Sequence, residues 1–198
     1  MKRLTLMLGL CLFAFPVLGS DQMTQDERTE HEIEHDGVIV PGTAMVADEE
    51  LVLNGVGTRR AFFRNFYVGA LYLPEPMREA AEIITLHPRN RIALHFIRDV
   101  SESRMLDAIQ DGFADNTGAE EMEELADKIA QFRELLPEPR EGDRIYFDWD
   151  PERGTVVSVN REERGVVAGE AFNRAVMRIF LGENPADNDV REGMLGID

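Results

Sequence analysis

The chain has 198 residues, 43% of them hydrophobic, and a formal net charge of −17. That length suits one domain with or without tails, and that apolar share supports a buried core. The acidity argues against nucleic acid as a partner, because no basic stripe offsets the repulsion, and serves solubility.

The N-terminus opens Met1-Lys2-Arg3, and Leu4 to Leu18 is then apolar except for Thr5. Small residues, Gly19-Ser20, follow the apolar run. A charged start, an apolar stretch and a small-residue site predict a cleavable signal peptide over residues 1–19. The run is too short to span a bilayer, so no stable membrane anchor is expected after cleavage, and the mature protein is expected to be periplasmic or secreted. Cys11 is the only cysteine. It lies within the apolar run and not at its end, so lipidation is not expected, and the mature chain has no thiol for a disulfide.

Residues 20–36 are polar and acidic and read as a disordered or frayed arm. The arm contains His31-Glu32-Ile33-Glu34-His35, which matches H-E-x-x-H. A zinc protease places that spacing on a helix, with the Glu as general base. Here Asp36-Gly37 follows at once and no buried helical face is present, so neither a metal site nor any other cofactor is expected.

Residues 37–198 form the folded domain. Val38–Val40 and Ala44–Val46 flank a Pro41-Gly42 turn and look like short edge strands. Leu51 to about Phe63 and Asn65 to Leu73 read as two long strands rich in Val, Phe, Tyr and Leu. Gly55 and Gly57 inside the first mark a bulge or a close backbone approach. Met77 to Ile84 suits a short helix, and Arg91 to Val100 a strand with His95 as a satisfied buried histidine. Helical spacing runs from Ser101 to Asn116 and from Glu120 to Leu136. Asp143–Trp149 and Thr155–Asn160 make a hairpin, and Arg164–Val167 a short ribbon. Glu170–Leu181 is a helix with Gly182 and Pro185 beyond it, and Asp189–Leu195 a last helical segment. The elements do not alternate as βαβ units. The expected class is α+β: one domain, a large antiparallel sheet covered on one face by a layer of helices.

Arg59 and Arg60 are neighbours on a strand, so they face opposite sides and one reaches the covered side. A cation there needs an anionic or polar partner. The chain has no G-x-x-x-x-G-K-[ST] and no G-x-S-x-G, and its many carboxylates make any one pair uninformative. An arginine near tyrosines in an apolar domain suits a carboxylate or enolate head with an apolar body behind it.

Asn54-Gly-Val-Gly-Thr-Arg59, Phe66-Tyr-Val-Gly-Ala-Leu-Tyr-Leu73, Phe180-Leu-Gly-Glu-Asn-Pro185 and Gly193-Met-Leu-Gly196 together resemble the chalcone isomerase-like family, and most closely its bacterial exported branch. The resemblance covers Gly37 to Asp198. It implies a large antiparallel sheet under helices and a site without metal or cofactor. In the plant enzymes an arginine after the G-x-G holds the nucleophilic oxygen as a chalcone closes to a flavanone. The matching residue is Arg59, which would be the catalytic residue if this chain is an enzyme. The enzymes' strand Thr is matched by Tyr67. Their Tyr, Lys and Asn at a helix start have no counterpart in Ser101–Ile109, and Ile179-Phe180 stand where they have Thr-Met. Non-catalytic plant relatives bind fatty acids with an Arg and a Tyr on the carboxylate, which implies Arg59 and Tyr67 as ligand-binding residues.

The expected function is non-catalytic binding of a small apolar carboxylate, such as a fatty acid, through Arg59. A cofactor-free isomerase or intramolecular lyase acting on an enone is the second reading. A structural or partner-binding protein with Arg59 as a satisfied strand arginine is the third. Arg60 and Arg64 are expected in solvent or in salt bridges, and Tyr72 in the core.

Overall fold

The structure is a computed structural model that describes residues 32–61 and 63–197. The expected signal peptide, most of the acidic arm and His31 lie outside the described residues. Seven strands form one antiparallel sheet: β3 (Thr43–Val46), β4 (Glu49–Ala61), β5 (Arg64–Leu73), β6 (Asn90–Phe96), β7 (Arg144–Asp150), β8 (Gly154–Val159) and β9 (Glu162–Val167). Spatial order equals chain order, so each strand pairs with the next in sequence. The helices are inserted between strands or follow the last one: α1 (Ala80–Leu86), α2 (Glu102–Asn116), α3 (Ala119–Leu135), α4 (Glu170–Leu181) and α5 (Asn188–Leu195). This is the α+β architecture expected from the sequence.

Alternation along the strands builds two faces. Leu71, Leu73, Ile92, Leu94, Phe96, Ile145, Phe147 and Val157 point to the helices and form the main core with them. Helix α4 fits this face because its apolar positions recur with helical period, burying Phe172, Val176, Ile179 and Phe180. Phe113 of α2, Phe132 of α3 and Phe172 of α4 meet with ring centroids 5.4–6.2 Å apart. Each such buried side chain contributes roughly 1.5–3 kcal/mol.

The other face carries Val56, Val68, Ala70, Tyr72 and Ala93, and is covered in part by a hairpin whose first strand falls in the expected disordered arm and whose second is the expected edge strand at Val38–Val40. Residues Glu32–His35 form strand β1, paired antiparallel with β2 (Val38–Pro41) through Asp36-Gly37. Val40 of this hairpin is fully buried, and the Tyr72 hydroxyl donates to Pro41 O at 2.9 Å. The Thr58 hydroxyl donates to Asp36 Oδ2 at 2.5 Å and stands 3.0 Å from His35 Nε2. With its one proton committed to Asp36, Thr58 accepts from His35 Nε2–H. Arg60 completes the lock with an ion pair to Asp36 at 3.0 Å. The disordered arm is thus corrected over residues 32–36. These residues are ordered by backbone pairing with β2 and by the polar contacts of His35 and Asp36 with Thr58 and Arg60, none of which local composition reports. The stretch is also a strand, where H-E-x-x-H chemistry needs a helix. Among the described residues no group of three His, Cys, Asp or Glu could hold a metal ion, and no helix is long and apolar enough to cross a membrane.

Tyr72 is in the core, and Arg60 is exposed in its salt bridge, both as expected. His95 is buried as expected, but it is not satisfied: among the described residues neither ring nitrogen has a hydrogen-bond partner. Its neighbours in register are Val68 and Arg144, and its ring stands edge-to-face with Tyr146. Burial, with Arg144 adding to it, pushes its pKa down to about 4.

Candidate functional site: an arginine–tyrosine cleft beneath helix α2

Strand β4 assigns a separate task to each residue of Gly57-Thr-Arg-Arg60. Thr58 and Arg60 point to the back face and hold the hairpin. Gly57 and Arg59 point to the helix face, with Gly57 opposite Gly69 and Arg59 opposite Tyr67. A register shift between Arg59 and Arg60 leaves the alternation of faces intact, because Phe66 on β5 absorbs it.

The glycines serve close approach. A Cβ on Gly55 would lie 2.1 Å from Gly193 O, and one on Gly57 would lie 2.7 Å from Val190 Cα. A Cβ on Gly193 would in turn lie 2.1 Å from Val56 O. Helix α5 therefore rests directly on the backbone of β4, which only side-chain-free positions permit. That contact sets the start of α5 beside Arg59. Asp187 caps the helix by accepting from Val190 N at 3.1 Å. Its other oxygen stands 3.9 Å from Arg59 Nη1, and the same Nη1 donates to Ala186 O.

Arg59 and Tyr67 open onto a cleft of ≈560 Å³, within the range of small-molecule sites. Its floor is Phe66, Tyr67, Phe96 and Val100, and its far wall is the face of α2 bearing Met105, Ala108 and Gly112. Asn184, Pro185 and Ala186 close one side. Asn184 holds that side to α2, donating through its side chain to Asp115 O at 3.1 Å.

Tyr67 is buried against Phe96, with ring centroids 5.5 Å apart. Burial pushes its phenol up to about 12, while the Arg59 guanidinium beside it pulls the other way. The phenol therefore keeps its proton at neutral pH and is a donor, not a base. The Arg59 side chain is 30% exposed, its Nη1 donates to Ala186 O, and its guanidinium stands beside the Tyr67 phenol. Two adjacent donors beside an apolar cleft floor match an oxyanion with an apolar body.

The sequence-predicted pair is thus brought together. Ile179 and Phe180 lie in the core and do not line the cleft. The helix-start segment lacking Tyr, Lys and Asn supplies Arg104, Met105, Asp107 and Ala108 to the wall. Sequence reasoning missed Ala186 and Asp187 as neighbours of Arg59. Their signal was present in the stretches Phe180–Pro185 and Gly193–Gly196, which prove to flank the cleft and to seat α5.

A single-domain α+β protein with a curled meander sheet, one helical layer and an Arg–Tyr cleft between them is the class that fold and site define. Residues 32–196 match the family model described as chalcone isomerase-like, and the chain belongs to that family. Among solved structures, the chain is similar to the Arabidopsis thaliana fatty-acid binding protein, with a TM-score of 0.63 and 16% identity, covering 83% of this chain and 95% of that one. At that identity the likeness concerns the fold. No curated protein matches the chain.

Proposed function

We propose that the protein is a non-catalytic binder of a small apolar carboxylate, such as a fatty acid, and that Arg59 and Tyr67 hold the head group. The observation that carries this reading is the pairing of a partly exposed guanidinium with a phenol that stays protonated, at the head of a cleft of ≈560 Å³ with an apolar floor. A carboxylate accepts from both donors, and the acyl chain displaces water from the partly open Phe66, Val100 and Ala108. A fatty-acid binding protein among the structural neighbours is in keeping with it.

We further propose that the protein is a bacterial exported one, with residues 1–19 removed as a signal peptide and the mature form periplasmic or secreted. The support is the basic start, apolar run and small-residue site of the sequence. Intact mass of the mature protein tests this and should correspond to a start at Ser20 or Asp21. A retained residue 1 would contradict it.

The binding reading is tested by purifying the mature protein and identifying co-purified small molecules by mass spectrometry. An apolar carboxylate present with the wild type and lost from Arg59→Ala supports it. The same complement of molecules in both proteins, or none in either, contradicts it.

A further inference from the structure

The cleft carries a second charged feature, on its α2 wall. Asp107, Asp111 and Asp115 all line it. They are spaced four residues apart and so stack one turn above another on a single helix face. All three are exposed, and none makes an ion pair with a described residue.

The stripe works against its own helix. Like charges at i, i+4 repel. Asp111 and Asp115 sit towards the carbonyl end, where negative charge is disfavoured, and the last turn has no basic residue to offset them. Local rules broken without local compensation are expected at functional positions.

The stripe also has a fixed direction relative to the head-group site. Asn184 ties the C-terminal end of α2 to the loop whose Ala186 carbonyl accepts from Arg59. A ligand body running from Arg59 along α2 therefore passes Asp115, Asp111 and Asp107 in turn, a path of about 12 Å at the helical rise per residue. Arg104, three residues further, is the one cation among the wall residues of α2, against three anions. The negative head is met by Arg59 and Tyr67, and the wall favours positive charge over negative beyond it.

We infer that Asp107, Asp111 and Asp115 set the charge pattern of the ligand: the cleft takes an amphiphile with one negative head and an uncharged or positive far end, and disfavours one with a second negative charge. This rests on the carboxylate reading of Arg59 and Tyr67 and specifies the ligand class of that site.

The test is displacement of a fluorescent fatty-acid analogue from the full mature protein by dodecanoate, 12-aminododecanoate and dodecanedioate at pH 7.5 and low salt. The last two both end in a charge and differ in its sign. The amino acid should bind about tenfold more tightly than the diacid, a gap that added salt narrows. Asp107→Asn/Asp111→Asn/Asp115→Asn should bring the two within about threefold. The single variant Asp111→Asn should give an intermediate ratio and guards against misfolding of the triple variant. Equal affinity of amino acid and diacid in the wild type, or a ratio untouched by the Asn variants, overturns the inference. Loss of dodecanoate binding in Arg59→Ala shows that the head-group reading stands whichever way the ratio falls. Failure of all three ligands to bind overturns both readings.

Discussion

Arg59 Nη1 lies 3.9 Å from Asp187 Oδ2, across the gap between strand β4 and the start of helix α5. The same aspartate caps α5, so one side chain links helix placement to the charge beside Arg59. Its carboxylate competes with any anion that approaches Arg59. Asp187→Asn keeps the cap, because Asn and Asp cap about equally well, and removes the competitor. It should strengthen carboxylate binding about threefold, the effect of one charge near a partly exposed pair. Titration calorimetry on both proteins checks this, and unchanged or weaker binding would count against an anion at Arg59.

Gly193→Ala should be severely destabilising. The added methyl would lie 2.1 Å from Val56 O and 2.5 Å from Gly57 Cα, both backbone atoms that cannot step aside. Relieving the overlap requires α5 to lift from β4, at a cost of about 2–4 kcal/mol. Urea unfolding measures it, and a loss below about 0.5 kcal/mol, the range of ordinary surface changes, would contradict the packing account.

Acid should weaken the fold through His95. Its folded pKa, about 4, is below the ordinary histidine value of 6.5. A group with a depressed folded pKa binds more protons when unfolded, so the stability it confers is full above the unfolded value. It is lost as pH falls from about 6.5 towards 4. The expected loss is on the order of 2 kcal/mol. His95→Leu should flatten the stability profile in that window, because it removes the titrating group and both unsatisfied nitrogens. Denaturant midpoints at pH 7 and pH 4.5 decide it. An equal acid loss in the variant would place the sensitivity elsewhere.

Thr58→Val should loosen the N-terminal hairpin selectively. It deletes the hydroxyl that donates to Asp36 and accepts from His35, at about 1–2 kcal/mol. Hydrogen exchange should accelerate over Glu32–Pro41 and stay near wild type in α4. The hydroxyl faces away from the cleft, so carboxylate affinity should not change. Uniform acceleration across the domain would mean that the hairpin is not a separate unit.

Where local pattern and tertiary burial agree, the sequence is legible. Helix α4 is read at Glu170–Leu181, the bounds it has, because its apolar spacing, terminal Gly182 and Pro185 all point one way. The β7–β8 hairpin is read within a residue or two for the same reason. Strand β1 is not legible, because Glu32, Ile33 and Glu34 are all exposed and pairing alone orders them. Close approach at Gly55 and Gly57 can be read locally, but its partner Gly193 lies over a hundred residues away. The pair Arg59 and Tyr67 is legible through the family resemblance. The aspartate stripe is not, because in so acidic a chain three carboxylates carry no weight until a helix places them on one cleft wall.

Anchoring of a carboxylate by Arg59 in this cleft is tested most directly by calorimetric titration of dodecanoate into wild type and Arg59→Ala. Removing one partner of a charge-assisted contact costs about 2–5 kcal/mol, so affinity should fall about thirtyfold or more, with circular dichroism unchanged. Retention of wild-type affinity in a folded Arg59→Ala protein would contradict the account.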